Sequence, residues 1–226
     1  WEVNNEIYHL KHKEFKYLLN ELIGEIISEF FALQTKKSII LVDQEHNFSL
    51  LSKSFLDPNL DYCCFDDFID VRFWDDVGLD NLDRMDIFYN AKLEEEVTIK
   101  PEYLNILKND LKKMLVRDFL VLQNDRSLGN FMFGYKNDYI KLMPLYDYEH
   151  SFGRYYGIYF NLLDFNLELK KVREYIKQDP YLQELLYKLL SFDFEVVINS
   201  LENEYGIILN KKEGDTHMVS SSFLCK

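Results

Sequence analysis

The chain has 226 residues, with Lys+Arg 26 against Asp+Glu 39 and a formal charge of −13. A surface this acidic repels phosphate backbones and anionic lipid, so general nucleic-acid and membrane-surface binding are not expected. Hydrophobic residues at 47% and aromatics at 16% exclude wholesale disorder, and 8 Gly with 4 Pro argue against collagen-like or turn-dense all-β architectures.

The longest apolar stretch, Leu18 to Leu33, is broken by Asn20, Glu21, Glu25 and Glu29. It falls short of the roughly 20 residues a membrane span needs. Cysteines are three, Cys63, Cys64 and Cys225. An odd count with two adjacent members makes no disulfide framework, and no four-ligand zinc spacing is present. A reducing compartment, the cytoplasm, is expected; an exported effector that folds there has the same composition. The chain opens on Trp1 with no signal-peptide pattern, and is expected to be a piece of something longer.

In chain order, Ile7 to Leu10 is expected as a short strand ending at Lys11. From Glu14 to Leu33 the apolar positions Phe15, Leu18, Leu19, Leu22, Ile23, Ile26, Ile27, Phe30 and Phe31 fall at steps of three and four. That spacing predicts an amphipathic helix. Ser38–Val42 and Phe48–Leu51, separated by a polar loop, predict a hairpin. Pro58-Asn59 punctuates a change of composition, and a lobe boundary is expected near residues 52 to 60. Residues 61 to 92, acidic and aromatic, are expected as short helices and loops. Pro101 suits the first turn of a helix through about Leu122, with Leu104, Leu107, Leu111, Met114 and Leu115 as its buried face. A polar loop over Asn124 to Asn130 precedes two short strands, Phe131–Tyr135 and Tyr139–Met143. From Asn161 the pattern is helical with a break at Pro180, and the last dozen residues are expected to fray. The sum is α+β: a small N-terminal lobe over residues 1–55 and a larger, mainly helical lobe over 56–226.

The segment from Leu122 to Phe131 carries the chemistry. It reads Leu-Gln-Asn-Asp-Arg-Ser-Leu-Gly-Asn-Phe, and Asp147 follows seventeen residues after Asn130 in Leu142-Met-Pro-Leu-Tyr-Asp147. Phosphoryl transfer needs a carboxylate to orient or deprotonate the attacking hydroxyl, and hard oxygen ligands to hold Mg²⁺ beside a triphosphate. An Asp and an Asn five apart on one loop, with a second Asp at the end of the following hairpin, form the layout of kinase catalytic machinery.

These motifs resemble those of the HipA-like serine/threonine kinases. That group's catalytic loop reads Asp-x-His-x-x-Asn, and its metal aspartate follows in a Leu-x-Pro-x-Tyr-Asp setting. Asn20-Glu21 in an apolar helix, followed by a hairpin, is similar to the group's N-terminal pattern. The resemblance implies a bilobal protein-kinase-like fold, ATP and Mg²⁺ as cofactors, a protein substrate, and the capacity to autophosphorylate. It implies Asp125 as catalytic base or hydroxyl orienter, Asn130 and Asp147 as metal ligands, and Lys11 as the nucleotide-phosphate lysine, with Lys13 or Lys16 as alternatives. It also implies an adenine hinge near Leu51-Ser52-Lys53. The chain departs from the pattern at Ser127, where the group has His, and no glycine-rich loop precedes Lys11.

Other readings compete. Asp125 and Asn130 are residue types that favour turns. Glu21 is expected on the solvated face of its helix rather than in an ion pair. Asp147-x-Glu149 also occurs in aminoglycoside and choline phosphotransferases, which usually have His where Gln123 stands. The alternatives are therefore a small-molecule phosphotransferase or a non-catalytic pseudokinase or interaction domain.

Overall fold

The structure, a computed structural model, describes residues 2–3, 6–45, 47–64, 88–90, 95–121, 131–148, 151 and 177–205. The fold is α+β. In chain order it runs β1 (Glu2–Val3), β2 (Glu6–His12), α1 (Phe15–Phe30), β3 (Ser38–Val42), β4 (Phe48–Lys53), β5 (Asp61–Cys64), β6 (Phe88–Asn90), β7 (Glu95–Val97), α2 (Pro101–Leu120), β8 (Met132–Lys136), β9 (Tyr139–Leu142), α3 (Pro180–Leu190) and α4 (Phe194–Tyr205).

The first sheet is antiparallel in the order β1-β2-β4-β3, so β4 is flanked on both edges. Side chains alternate across it: Leu50 and Ser52 are buried against α1, while Ile39 and Leu41 point away and are exposed. α1 presents Leu18, Leu19, Leu22, Ile26 and Ile27 to the core. It ends because Ala32 adopts a left-handed φ of 54°. The Leu33 amide then donates to the Ser28 carbonyl at 2.9 Å and the Ala32 amide to Glu29 at 2.8 Å, a Schellman closure with apolar Leu33 tucked under it.

A second sheet has the order β5-β8-β9, and β6 pairs with β7. The β8–β9 turn holds Asn137 at φ 54° and is tied to α2, where Lys100 Nζ lies 2.9 Å from Asp138. The expected buried face of α2 is present at Leu104, Leu107, Leu111 and Met114. α3 begins where a proline is best tolerated: Asp179 caps it, accepting from the Leu182 amide at 3.0 Å, and Pro180 follows in the first turn. Lys112 of α2 pairs with that same Asp179, and α4 packs against α1.

The expectation of short helices and loops over 61–92 is corrected at both ends. Asp61–Cys64 is a strand paired with Tyr135–Met132, and Phe88–Asn90 pairs with Glu95–Val97. A four-residue strand is too short to display a period, and β5 is held by a partner about seventy positions away. The helical pattern expected from Asn161 up to residue 176 and the expected frayed tail lie outside the described residues. No helix among the described residues is long and apolar enough to cross a membrane.

Candidate functional site

β2 places Lys11 opposite Leu50, on the side of the sheet that faces α1. Its ammonium lies 2.7 Å from Glu21 Oε1 and 3.3 Å from Asp147 Oδ1, a residue 136 positions away. A strand lysine, a helix glutamate and the aspartate after a hairpin thus meet at one point. Glu21 is fully buried, so its expected place on a solvated face is wrong. The reason is helical geometry: Leu18, Glu21, Glu25 and Ser28 are spaced three and four apart and share the buried face of α1. Among the described residues it is Lys11, not Lys13 or Lys16, that meets Glu21; Lys16 is 65% exposed and pairs with Glu14.

The second oxygen of Glu21 faces Lys36 Nζ at 3.5 Å. One turn along α1, Glu25 is also buried. It accepts from the Ser38 amide at 2.9 Å and from the Ser38 hydroxyl, which in turn contacts the Ser52 hydroxyl at 2.6 Å. Burial pushes the Glu25 carboxyl above its ordinary value, and the Ser38 hydrogen bonds partly offset this.

Asp147 has φ 62°, a left-handed conformation that Asp adopts more readily than most residues but that still stores strain. Buried neighbours hold it there. Leu145 and Tyr148 are fully covered, and the β9 side is extended by the Met143 amide donating to Met132 at 2.9 Å. Tyr146 stacks with Phe55 of the segment that follows β4.

Tyr148 locks this loop to α1. Its hydroxyl is 3.2 Å from Ser28 Oγ, and its ring carries the buried Arg117 guanidinium 3.9 Å above it. Arg117 also donates to the Gly24 carbonyl at 3.3 Å and pairs with Asp118. Asn20 Nδ2 donates to the Ser151 carbonyl at 2.9 Å. Residues 20, 24 and 28 therefore form one stripe of α1 that grips the Asp147 loop, while Glu21 beside them reaches Lys11.

Gly24 is required for this approach. A Cβ there would lie 2.5 Å from Tyr148 Cγ and 2.9 Å from an Arg117 nitrogen. Helix propensity favours alanine by about 1 kcal/mol. The ring cannot withdraw without leaving both Ser28 and Arg117, and overpacking of this kind costs about 1–3 kcal/mol. Gly24→Ala is therefore expected to lower the melting temperature by about 2–4 °C for each net kcal/mol, measured by thermal unfolding.

Of the site residues expected from sequence, the structure brings Lys11 and Asp147 together; Asp125 and Asn130 lie outside the described residues. Both neighbours of that loop, Val121 and Phe131, are fully buried. The expected hinge stretch, Leu51-Ser52-Lys53, is the end of β4. Leu51 and Ser52 are paired with β2 on one edge and β3 on the other, so their backbone groups are spent within the sheet. Residues 54–60, which join β4 to β5, are the first stretch beyond it. Sequence reasoning missed Lys36, Arg117 and Tyr148. Tyr148 adjoins the motif aspartate, and a glycine inside a strongly helical pattern marks the close contact it makes.

No protein-family model matches the chain, and no curated protein matches it. Among solved structures it is similar to the crystal structure of a Helicobacter pylori proinflammatory kinase, CtkA, with a TM-score of 0.57 and 14% identity over 89% of this chain and 81% of that one. The fold is kinase-like.

Proposed function

We propose that the chain is a HipA-like, ATP- and Mg²⁺-dependent kinase that transfers a phosphoryl group to serine or threonine of a protein and to itself. The observation that carries this reading is the meeting of Lys11, Glu21 and Asp147 from a strand, a helix and a hairpin end. In this reading residues 1–55 form a nucleotide-covering lobe and 56–226 the catalytic lobe. Glu21 orients the Lys11 ammonium toward the nucleotide phosphates. Asp147 is a hard oxygen donor and partly exposed. A carboxylate of this kind suits Mg²⁺, which is usually held by one or two carboxylates plus water and substrate phosphates; Asn130 would be the second protein ligand. Bound there, the ion neutralises charge on the triphosphate. Asp125 orients the acceptor hydroxyl and takes its proton as the oxygen bonds to the γ-phosphorus and ADP leaves.

The test is incubation with γ-labelled ATP and Mg²⁺, alone and with protein acceptors. Label on Ser or Thr is the expected result. Label appearing only on an added small alcohol or amine would reassign the chain to small-molecule phosphotransfer. Nucleotide binding without transfer would favour a non-catalytic role.

A further inference from the structure

Glu21 has a lysine on each carboxylate oxygen, and the two lysines differ in setting. Lys11 is 31% exposed and shared between Glu21 and Asp147. Lys36 is 12% exposed and comes from the turn between α1 and β3. That turn is pinned: Lys37 takes a left-handed φ of 59°, and both the amide and hydroxyl of Ser38 are bound by buried Glu25. Lys36 is thus anchored two residues from a fixed point.

In the kinase reading, on which this inference rests, Lys11 must turn its ammonium toward phosphate oxygens. Glu21 is fully buried and stays paired with Lys11 as it does so, so the charge of that ammonium is divided between the carboxylate and the phosphates. A buried carboxylate whose charge is only partly answered by one shared cation is disfavoured. We propose that Lys36 is a positioning residue: it neutralises Glu21 from the second oxygen, which lets Lys11 serve the nucleotide phosphates. Lys36 need not touch the nucleotide. Without it the whole Glu21 charge falls on Lys11, the Lys11–Glu21 pair tightens, and nucleotide affinity falls.

The experiment is calorimetric titration of Mg·ATP into the full chain and into Lys36→Met, Lys36→Arg, Glu21→Gln and the Lys36→Met/Glu21→Gln double variant. Lys36→Met is expected to bind about tenfold more weakly, the size of coupling usual between contacting groups. Lys36→Arg keeps the charge and is expected to bind within about threefold of wild type by the same reasoning. The double variant is expected to bind like Glu21→Gln alone, because the charge that Lys36 answers is gone. A merely structural lysine would give additive losses instead, and additive losses overturn the proposal. So does Lys36→Met binding as tightly as wild type. If Lys36→Met does not fold, Lys36→Gln makes the same comparison with a polar side chain. A wild-type chain that binds no Mg·ATP overturns the kinase reading together with this proposal; wild-type binding with an unaffected Lys36 variant overturns this proposal alone.

Discussion

Asp147→Asn is expected to abolish phosphoryl transfer and to weaken Mg·ATP binding. The substitution keeps size and shape, and Asn accepts the left-handed φ of 62° as well as Asp does, so the loop should hold its course. Its anchors are also untouched: Tyr148 stays against Arg117 and Ser28, and Leu145 stays in the core. What changes is charge. Asp147 is the one negatively charged ligand proposed for the metal, since Asn130 is neutral. It also holds Lys11 at 3.3 Å. An acidic chain of −13 repels a triphosphate, so the cation between them matters more here than in a neutral protein. Loss of a preorganised charge of this kind costs about 10²–10³-fold in rate. The check is transfer from labelled ATP beside calorimetry at several Mg²⁺ concentrations. Unchanged Mg²⁺ dependence of nucleotide binding would remove Asp147 from the metal site.

Several parts of this arrangement were legible in the sequence, for physical reasons. β2, α1, the β3–β4 hairpin, α2 and the β8–β9 hairpin have strong local periods, and the structure places them within a few residues of expectation. β5 was not legible, because its four residues are held by a distant partner rather than by a local pattern. Asp147 was expected from its motif setting and Lys11 from the family resemblance, with Lys13 or Lys16 as alternatives, and the fold brings Lys11 and Asp147 together. Glu21 was misread because its charge suggested water. Its place on the Leu18–Glu21–Glu25–Ser28 stripe was the contrary signal, since polar residues at core positions need partners. Lys36 left no such trace: a lysine in a turn is usually solvated, and only the three-dimensional neighbourhood of Glu21 makes it otherwise. The flanking of β4 on both edges was not legible either, because edge or central status in a sheet depends on the order of its strands. β4 pairs on both sides, and that order is not written in β4 itself.

Asp125→Ala is expected to remove phosphoryl transfer while leaving Mg·ATP affinity nearly intact. Its proposed task is to orient the acceptor hydroxyl and take its proton, and nucleotide binding alone does not require that. An interaction made mainly in the transition state lowers kcat rather than affinity. The usual size of such acid–base and positioning effects gives an expected loss of about 10²-fold or more. The flanks of the loop favour a clean result. Val121, at the end of α2, and Phe131, at the start of β8, are both fully buried. Truncating Asp125 between them should not release the chain on either side. The measurement is paired on one preparation, with nucleotide affinity by calorimetry and transfer by labelled ATP. If wild type transfers phosphate and Asp125→Ala does so equally well, the carboxylate has no part in the reaction and the mechanism is wrong. If affinity falls in step with transfer, Asp125 belongs to the nucleotide site instead, and the hydroxyl must be oriented by another group.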